Sequence, residues 1–176
     1  MVTLEPIAAQ AWEAWRHAAI LGYARDNIRI GAWPAAGSEA RASADLARIL
    51  PDGQATPGHD FRSIVNEDRV AVGVLWFAPN EAPHRRAIFI WDIVISEAFR
   101  SRGYGRAALE ALEPLAQALG YDEIELHVFG DNEIARDLYR SAGYVETNVS
   151  MVKRLLGGAP IKGARGRDLD ARRSRR

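Results

Sequence analysis

The spacing of apolar and polar residues predicts helices and strands that alternate along most of the chain. Apolar residues recur near helical spacing over four stretches: 6–25, 35–50, 103–119 and 132–142. Extended apolar runs, several of them bounded by turn residues, occupy six others: 2–4, 61–65, 70–77, 87–95, 123–129 and 145–155. This order predicts an α/β fold of the α+β sandwich type. We expect a largely antiparallel central sheet of about six to seven strands, with helices on both faces.

The run from Ala87 to Ile95 is the strongest predicted strand. It is apolar on both faces apart from Asp92, which indicates a position inside the sheet rather than at its edge. The best amphipathic helix, 103–119, follows it and is closed by Gly120 before the next strand begins. The middle of the sheet is therefore predicted to contain a strand, helix, strand crossover.

Composition and charge exclude several classes of function. The 176 residues carry 23 basic and 23 acidic side chains and no cysteine. A disulfide framework, a thiolate zinc site, an iron–sulfur cluster and a covalent thiol intermediate are thereby excluded. The first residues lack the basic segment of a signal peptide, and the apolar runs fall far short of the roughly 20 residues that cross a bilayer, so we expect a cytoplasmic protein that does not act at membranes.

The last 20 residues differ from the rest of the chain. Residues 157–176 hold seven basic and two acidic side chains and little apolar surface. Such a composition cannot repay the entropy of ordering, so we predict a single domain over 1–156 and a disordered basic tail. An arm for nucleic acid is the alternative; the tail has no aromatic residue for base stacking, which makes nucleic acid an unfavoured partner.

The segment that opens the third predicted helix combines two glycines with three arginines. They are Gly103 and Gly105, with Arg100, Arg102 and Arg106. A helix start presents free N–H groups and a positive dipole end, and glycine lets the backbone approach a ligand closely. These features favour an anion, and a diphosphate better than a lone carboxylate. The alternative is a tight turn with solvated arginines.

Two other phosphate-binding motifs fit this segment poorly. Residues 103–108 match the pattern G-x-G-x-x-A, but seven residues separate Ile95 from Gly103, whereas in a dinucleotide fold the strand runs almost directly into the first glycine. No G-x-x-x-x-G-K-[ST] sequence occurs in the chain, which excludes a P-loop.

Two motifs in order resemble those of the GNAT superfamily of N-acetyltransferases. Arg100-x-x-Gly103-x-Gly105, eight residues after Asp92, resembles its Q/R-x-x-G-x-G/A acetyl-CoA signature. The segment from Asn132 through Ala135 and Leu138-Tyr139 to Gly143-Tyr144, followed by Met151-x-Lys153, is similar to its N-x-x-A-x-x-L-Y-x-x-x-G-[FY] segment and closing strand. The resemblance is close over roughly 60–155 and implies a GNAT-like fold that acts on acetyl-CoA.

The resemblance also implies how the acetyl-CoA co-substrate is held. The backbone of Ile93, Val94 and Ile95 would pair with the pantetheine arm as an added strand. The pyrophosphate would lie on one continuous loop: Arg100, Ser101, Arg102, Gly103, Tyr104, Gly105 and Arg106. Asn132 would steady the cofactor. Independently, Asn132 and Tyr139 lie seven residues apart and so share a helix face, with the small Ala135 between them, which leaves room for a thin ligand.

The expected reaction is direct attack of an amine on the thioester. By resemblance, Tyr139 is the general acid for the departing thiolate. An alkylammonium is about 99.9% protonated at pH 7, roughly 4 to 5 kcal/mol against attack, so a base is useful. Asp92 is one candidate for this base; its alternative role is that of a structural carboxylate. His127 is the other candidate; its alternative role is that of a histidine packed on a strand. A water chain would make either unnecessary.

The acceptor is the least defined part of the prediction. In the superfamily the N-terminal helices shape the acceptor side, which nominates Tyr23, Trp33 and residues 58–60, each of which also fits core or lid packing. A small-molecule or peptide amine is expected, and a homodimer is left open. The histidines are scattered, so no metal is assigned. The rival function is a catalytically silent acyl-CoA-binding domain.

Overall fold

The computed structural model describes residues 1–82, 85–151 and 153, and these form one sheet with helices on both faces. The strands are β1 (Val2–Pro6), β2 (Asp60–Asn66), β3 (Ala71–Ala82), β4 (Arg85–Ile95) and β5 (Glu123–Leu126). The helices are α1 (Ala9–Arg29), α2 (Ser38–Ile49), α3 (Tyr104–Ala118) and α4 (Glu133–Ser141). No helix in this part of the chain is long and apolar enough to cross a membrane.

The sheet order is β1-β2-β3-β4-β5, with antiparallel pairing through β4 and a parallel pairing of β4 with β5. Helix α3 makes the crossover between the two parallel strands. The mixed, largely antiparallel sheet and the strand, helix, strand unit are thus confirmed. Because β5 pairs only with the first half of β4, the C-terminal half of β4 is free to act as an edge.

The described part of the chain holds five strands, slightly fewer than the predicted six to seven. The predicted strand at 123–129 ends at Leu126, and residues 145–151 form no strand. Val145 and Met151 are 80% and 90% exposed, so the apolar pattern there has no core to face. The basic tail predicted at 157–176 lies outside the described residues, and the domain boundary at 156 stays a prediction.

Two cores lie on opposite faces of the sheet because successive strand residues point to opposite sides. The α3 face is aliphatic, with Ile64, Leu75, Ile88, Leu109 and Leu112 almost completely buried. The α1 face is aromatic and packs six buried side chains together: Ile7, Trp12, Trp15, Leu50, Phe61 and Trp76. The aromatic core continues along the sheet to β4, where the candidate functional residues lie.

Candidate active site

Strand β4 changes its neighbours halfway along its length. Its first half pairs with β5, from Ala87 opposite Glu123 to Ile90 opposite Leu126. The register with β3 then shifts, so that Trp76 faces Asp92 while Phe77 faces Ile90, and Trp91 is left as a bulged residue. Beyond Ile90 the described residues give β4 no partner on its β5 side. A gap therefore opens between β4 and the end of β5.

The backbone groups that face this gap follow from the antiparallel ladder. The Ser96 N–H donates to the Val72 carbonyl at 2.9 Å, so alternate residues of β4 bond to β3. Val94 is therefore bonded toward β3, while the backbone groups of Ile93 and Ile95 point into the gap. The Ile95 carbonyl accepts a bond of 3.1 Å from Arg100 Nε, which agrees with this alternation.

The loop after β4 turns sharply into the start of α3. A short 3₁₀ turn, Glu97–Phe99, is followed by two left-handed residues, Ser101 with φ 60° and Gly103 with φ 82°. Gly103 is the N-cap of α3 and adopts a conformation that favours glycine. The first amides of α3, from Tyr104 onward, then project from the end of the helix beside the gap.

The arginines of the loop are held in three different ways. Arg100 bonds the Ile95 carbonyl, Arg106 donates to the Ser141 carbonyl at 2.7 Å, and Arg102 lies over the Phe99 ring with 5.6 Å to its centroid. The Arg106 contact ties α3 to the end of α4. Arg106 also pairs with Glu110 at 3.5 Å. All three arginines lie at the start of α3, and an anion site there stays a prediction.

The two remaining loop residues have packing roles as well. The Tyr104 side chain packs against the α3-side core and lies 6.2 Å from the Phe99 ring, so only its amide faces the loop. At Gly105 a Cβ atom would lie 3.2 Å from Leu138 Cδ2. This glycine therefore allows α3 and α4 to approach each other beside the gap.

Helix α4 is positioned by its own N-cap. The Asn132 side chain accepts a 3.2 Å hydrogen bond from the Ala135 N–H, which satisfies one of the free amides of the first turn. Ala135 and Tyr139 follow on one face at four-residue spacing. Asn132 is thus the N-cap of α4, the helix that carries Tyr139.

Asp92 is held by a hydrogen bond from the aromatic core. Trp15 Nε1 on α1 donates to Asp92 Oδ2 at 2.8 Å. Burial raises the pKa of the Asp92 carboxyl above its usual range. Hydrogen bonds from Trp15 and from the Ile93 amide oppose that rise in pKa, and the negative charge of Asp26 adds to it. Asp92 is thus a carboxylate that accepts a proton more readily than an ordinary aspartate.

Tyr139 lies within electrostatic reach of Asp92. Its ring is half-buried, 5.7 Å from the Tyr144 ring and against the aliphatic core. Burial, reinforced by the Asp92 charge, raises the pKa of Tyr139 to about 12. The phenol is therefore protonated throughout the neutral range. Asp92 on β4 and Tyr139 on α4 are therefore near enough for the carboxylate charge to act on the phenol.

His127 lies one residue beyond the end of β5. Its side chain is exposed and its ring meets Phe89 edge-on, with 5.2 Å between the centroids. This contact places it on the α1 face of the sheet, at the side of the gap away from α3. Asp92 has a fixed hydrogen-bond partner in the core, whereas His127 rests on an aromatic ring.

The residues nominated for the acceptor side separate into two groups. Trp33 is buried against Tyr23 in an edge-on contact of 5.1 Å, and both lie at the end of α1. His59 lies nearer to β4, where its Nδ1 accepts a 3.0 Å hydrogen bond from Trp76 Nε1 and burial lowers its pKa. Asp60 is bound by Arg62 through two hydrogen bonds. Of this set, His59 reaches the surface beside the gap.

Clusters of three or more histidines, aspartates or glutamates that could hold a metal ion do not occur in the described ranges. His84, one of the four histidines, lies outside those ranges.

A comparison with known proteins decides the family. The model of the acetyltransferase (GNAT) family matches residues 12–144. The chain belongs to the GNAT acetyltransferase family. The match runs from α1 through α4, and so includes the bulged β4, the arginine-rich loop and both Asp92 and Tyr139.

Individual relatives agree with this assignment. This GNAT protein is 32% identical over 153 residues to YdgE of Bacillus subtilis, described as an uncharacterized N-acetyltransferase, covering 87% of this chain and 98% of that one. The crystal structure of YycN, from the same organism, superposes with a TM-score of 0.82 at 30% identity over 89% and 99% of the two chains. AAC(6')-Iy, crystallised with the bisubstrate analog CoA-S-monomethyl-acetylneamine, shares the fold, with a TM-score of 0.56 at 19% identity over 88% and 98% of the chains.

Sequence reasoning missed three features of this GNAT site. It did not foresee that the Trp15 indole N–H reaches Asp92 across 77 positions. It did not single out Trp91, which is 43% exposed at the bulge. Nor did it foresee that Arg29, at the end of α1, pairs with Asp131 and lies over the Phe129 ring. The bulge could not be read from the apolar run, because it depends on the register with β3.

Proposed function

We propose that this protein transfers an acetyl group from acetyl-CoA to a primary amine by direct attack, with Tyr139 as general acid and Asp92 as general base. The observation that carries the proposal is the buried Asp92 carboxylate at the bulge of β4, which accepts a 2.8 Å hydrogen bond from Trp15 and whose charge acts on the Tyr139 phenol of α4. The names of YdgE and YycN as N-acetyltransferases support transfer to nitrogen.

The open edge of β4 and the start of α3 would hold the cofactor. The outward Ile93 carbonyl and Ile95 amide would pair with the pantetheine arm, with Val94 between them bonded to β3. The amides from Gly103 to Arg106 would bind the pyrophosphate, since a helix start favours an anion by about 0.3 to 1 kcal/mol, and Arg100 and Arg102 add charge. Because Asn132 caps α4 with its oxygen, its amide NH₂ is left to donate, and the small Ala135 leaves space for the arm.

Asp92 would prepare the acceptor. An alkylammonium must lose a proton before its nitrogen has a lone pair for attack, and about one molecule in a thousand is neutral at pH 7. Burial raises the pKa of Asp92, so the carboxylate takes that proton more readily than a solvated aspartate does. The Trp15 hydrogen bond fixes the carboxylate at the bulge while it does so.

Tyr139 would complete the transfer. The amine nitrogen forms a bond to the thioester carbonyl carbon and releases one further proton to water, and the carbon–sulfur bond then breaks with its electron pair on sulfur. The Tyr139 hydroxyl gives its proton to that thiolate, and the phenolate recovers a proton from solvent. The products are an N-acetyl amide and the free thiol. Attack is direct because the chain has no cysteine to form an acyl intermediate.

The experiment that tests this proposal measures free thiol released from acetyl-CoA in the presence of a broad panel of primary amines, with mass spectrometry of the products. Thiol release matched by acetylated amine is expected. Calorimetry with coenzyme A is run in parallel. Binding without turnover on any amine would contradict the proposal and favour a catalytically silent acyl-CoA-binding domain.

Changing Trp15 to phenylalanine is expected to move the pH dependence of the reaction. The Trp15 hydrogen bond stabilises the charged form of Asp92, so losing it raises the pKa of Asp92 further. Because the base must be deprotonated, the acid limb of kcat at saturating amine should move to higher pH, by about one unit for one hydrogen bond to a charged group.

Trp12 offers a matched control for that shift. It belongs to the same aromatic core, and its buried indole N–H has no hydrogen-bond partner in the part of the chain that the structure describes. Trp12→Phe should therefore disturb packing to a similar degree while leaving the acid limb in place. Equal shifts in the two variants would show that the limb does not report the Trp15–Asp92 bond.

A further inference from the structure

Three aromatic rings stack across three neighbouring strands on the α1 face of the sheet. Phe61 on β2 stacks on Trp76 on β3 with 5.4 Å between centroids and 19° between planes. Trp76 stacks in turn on Trp91 on β4 at 5.1 Å and 18°. These spacings are close to the distance of about 4.8 Å between adjacent strands, so the sheet itself sets the stack.

The stack stops at Trp91 with one ring face uncovered. Phe61 and Trp76 are each 5% exposed, whereas Trp91 is 43% exposed. The next ring would lie over β5, but β5 ends at Leu126, opposite Ile90. The open indole face is therefore at the gap. Phe89 bounds it edge-on at 5.5 Å, and His59 lies 6.0 Å from it.

The bulge brings this aromatic face beside the proposed base. In a regular strand, Trp91 and Asp92 would point to opposite faces of the sheet. Here Trp91 stacks on Trp76, and Asp92 accepts a hydrogen bond from Trp15, which itself packs edge-on against Trp76 at 5.4 Å. Both side chains therefore lie on the α1 face. An amine at Asp92 has its carbon skeleton next to the Trp91 ring.

We propose that the exposed face of Trp91 binds a planar aromatic group of the acceptor, so that the substrate class is the arylalkylamines: a primary amine joined to an aromatic ring by a short aliphatic chain. This inference rests on the proposed function. A ring placed on Trp91 continues an existing parallel stack, and aromatic contacts add stabilisation beyond the area that they bury.

The carboxylates near this surface are paired with arginine. Asp60 pairs with Arg62, Arg85 is shared by Glu123 and Glu125, and Arg29 is shared by Asp26 and Asp131. His59 is held neutral at pH 7 because burial lowers its pKa, and so it adds no charge beside Trp91. Asp92 is then reserved for the reacting nitrogen, and the rest of the acceptor meets rings.

The test compares three primary amines with acetyl-CoA: 2-phenylethylamine, 2-cyclohexylethylamine and 1,4-diaminobutane. The first two have the same number of carbons and the same amine but differ in planarity, and the third carries a second ammonium. We expect kcat/KM for 2-phenylethylamine to exceed that for each of the others by roughly three- to tenfold, the range of an aromatic pair.

Substitutions at Trp91 connect that preference to the ring. Trp91→Leu should raise KM for 2-phenylethylamine. The ratio of kcat/KM for 2-phenylethylamine to kcat/KM for 2-cyclohexylethylamine should then be close to one. Trp91→Phe keeps a planar ring and should retain the preference, which also covers the case in which the leucine variant fails to fold. Both should bind coenzyme A as the wild type does.

Each outcome bears on the proposal. The arylalkylamine class is overturned if the wild-type ratio of kcat/KM for 2-phenylethylamine to that for 2-cyclohexylethylamine is near one, or if Trp91→Leu leaves this ratio unchanged. It is also overturned by a preference for the cyclohexyl amine or for the diamine. A preference for the diamine would point to a cation over the indole. Turnover of other amines in the broad panel with none of these three overturns this inference but leaves the acetyltransferase proposal standing. Absence of amine-dependent thiol release across the whole panel overturns both.

Discussion

Replacing Asp92 by asparagine is expected to lower kcat/KM for acetyl transfer about 10³-fold at pH 7. Without the carboxylate, the reaction depends on the roughly one amine in a thousand that is already neutral. The same reasoning predicts that the loss shrinks to within about tenfold at pH 10, where the free amine is abundant. Initial rates of thiol release at the two pH values measure both effects.

Asp122→Asn is the matched control, because Asp122 lies on the surface in an ion pair with Arg86. It should keep wild-type activity at both pH values. If Asp92→Asn kept its rate at pH 7 while His127→Gln lost it, the base would be His127, the rival candidate. A pH-independent loss in Asp92→Asn would instead assign Asp92 a structural role.

Asp92→Asn should also be more stable than the wild type at alkaline pH. Burial raises the pKa of Asp92 in the folded state above its unfolded value, so the folded chain binds more protons between those two pKa values. Its stability therefore falls as pH rises through that window. Asp92→Asn removes this cost, and its Tm should exceed that of the wild type at pH 8 but not at pH 3.5.

Replacing Tyr139 by phenylalanine is expected to lower kcat about 10²-fold with little change in coenzyme A binding. The substitution removes the proton donated to the departing sulfur and leaves the ring packing in place. The loss is smaller than that for Asp92 because a thiolate, with a pKa near 8.5, is a fair leaving group without help. Steady-state kinetics and calorimetry separate the two quantities.

Tyr144→Phe is the control for that variant. Tyr144 packs 5.7 Å from Tyr139, and burial raises its pKa as well, but the charges that act on it are those of Tyr139 and Glu113 rather than Asp92. It should keep most of the wild-type kcat. Equal losses in the two variants would indicate that the pair acts through packing and that neither tyrosine is the acid.

Local pattern was enough to predict most of the fold. The helix over 103–119 and the strand over 87–95 depend on apolar spacing and a glycine cap, which act over a few positions. The two ordered motifs, from Arg100 to Gly105 and from Asn132 to Tyr144, were sufficient to indicate the GNAT family. Asp92, as the polar residue of an apolar strand, was also readable from sequence.

The tertiary structure decided where that pattern failed and what surrounds the reacting groups. Residues 145–151 carry an apolar pattern but find no sheet edge to join. The bulge at Trp91 exists because β3 and β4 shift register, and it turns two consecutive side chains to one face. Trp15 meets Asp92 across 77 positions, and Arg29 meets Asp131 across 102. Sequence spacing specifies neighbours within an element, whereas the pKa of Asp92 and the open face of Trp91 depend on how separate elements pack.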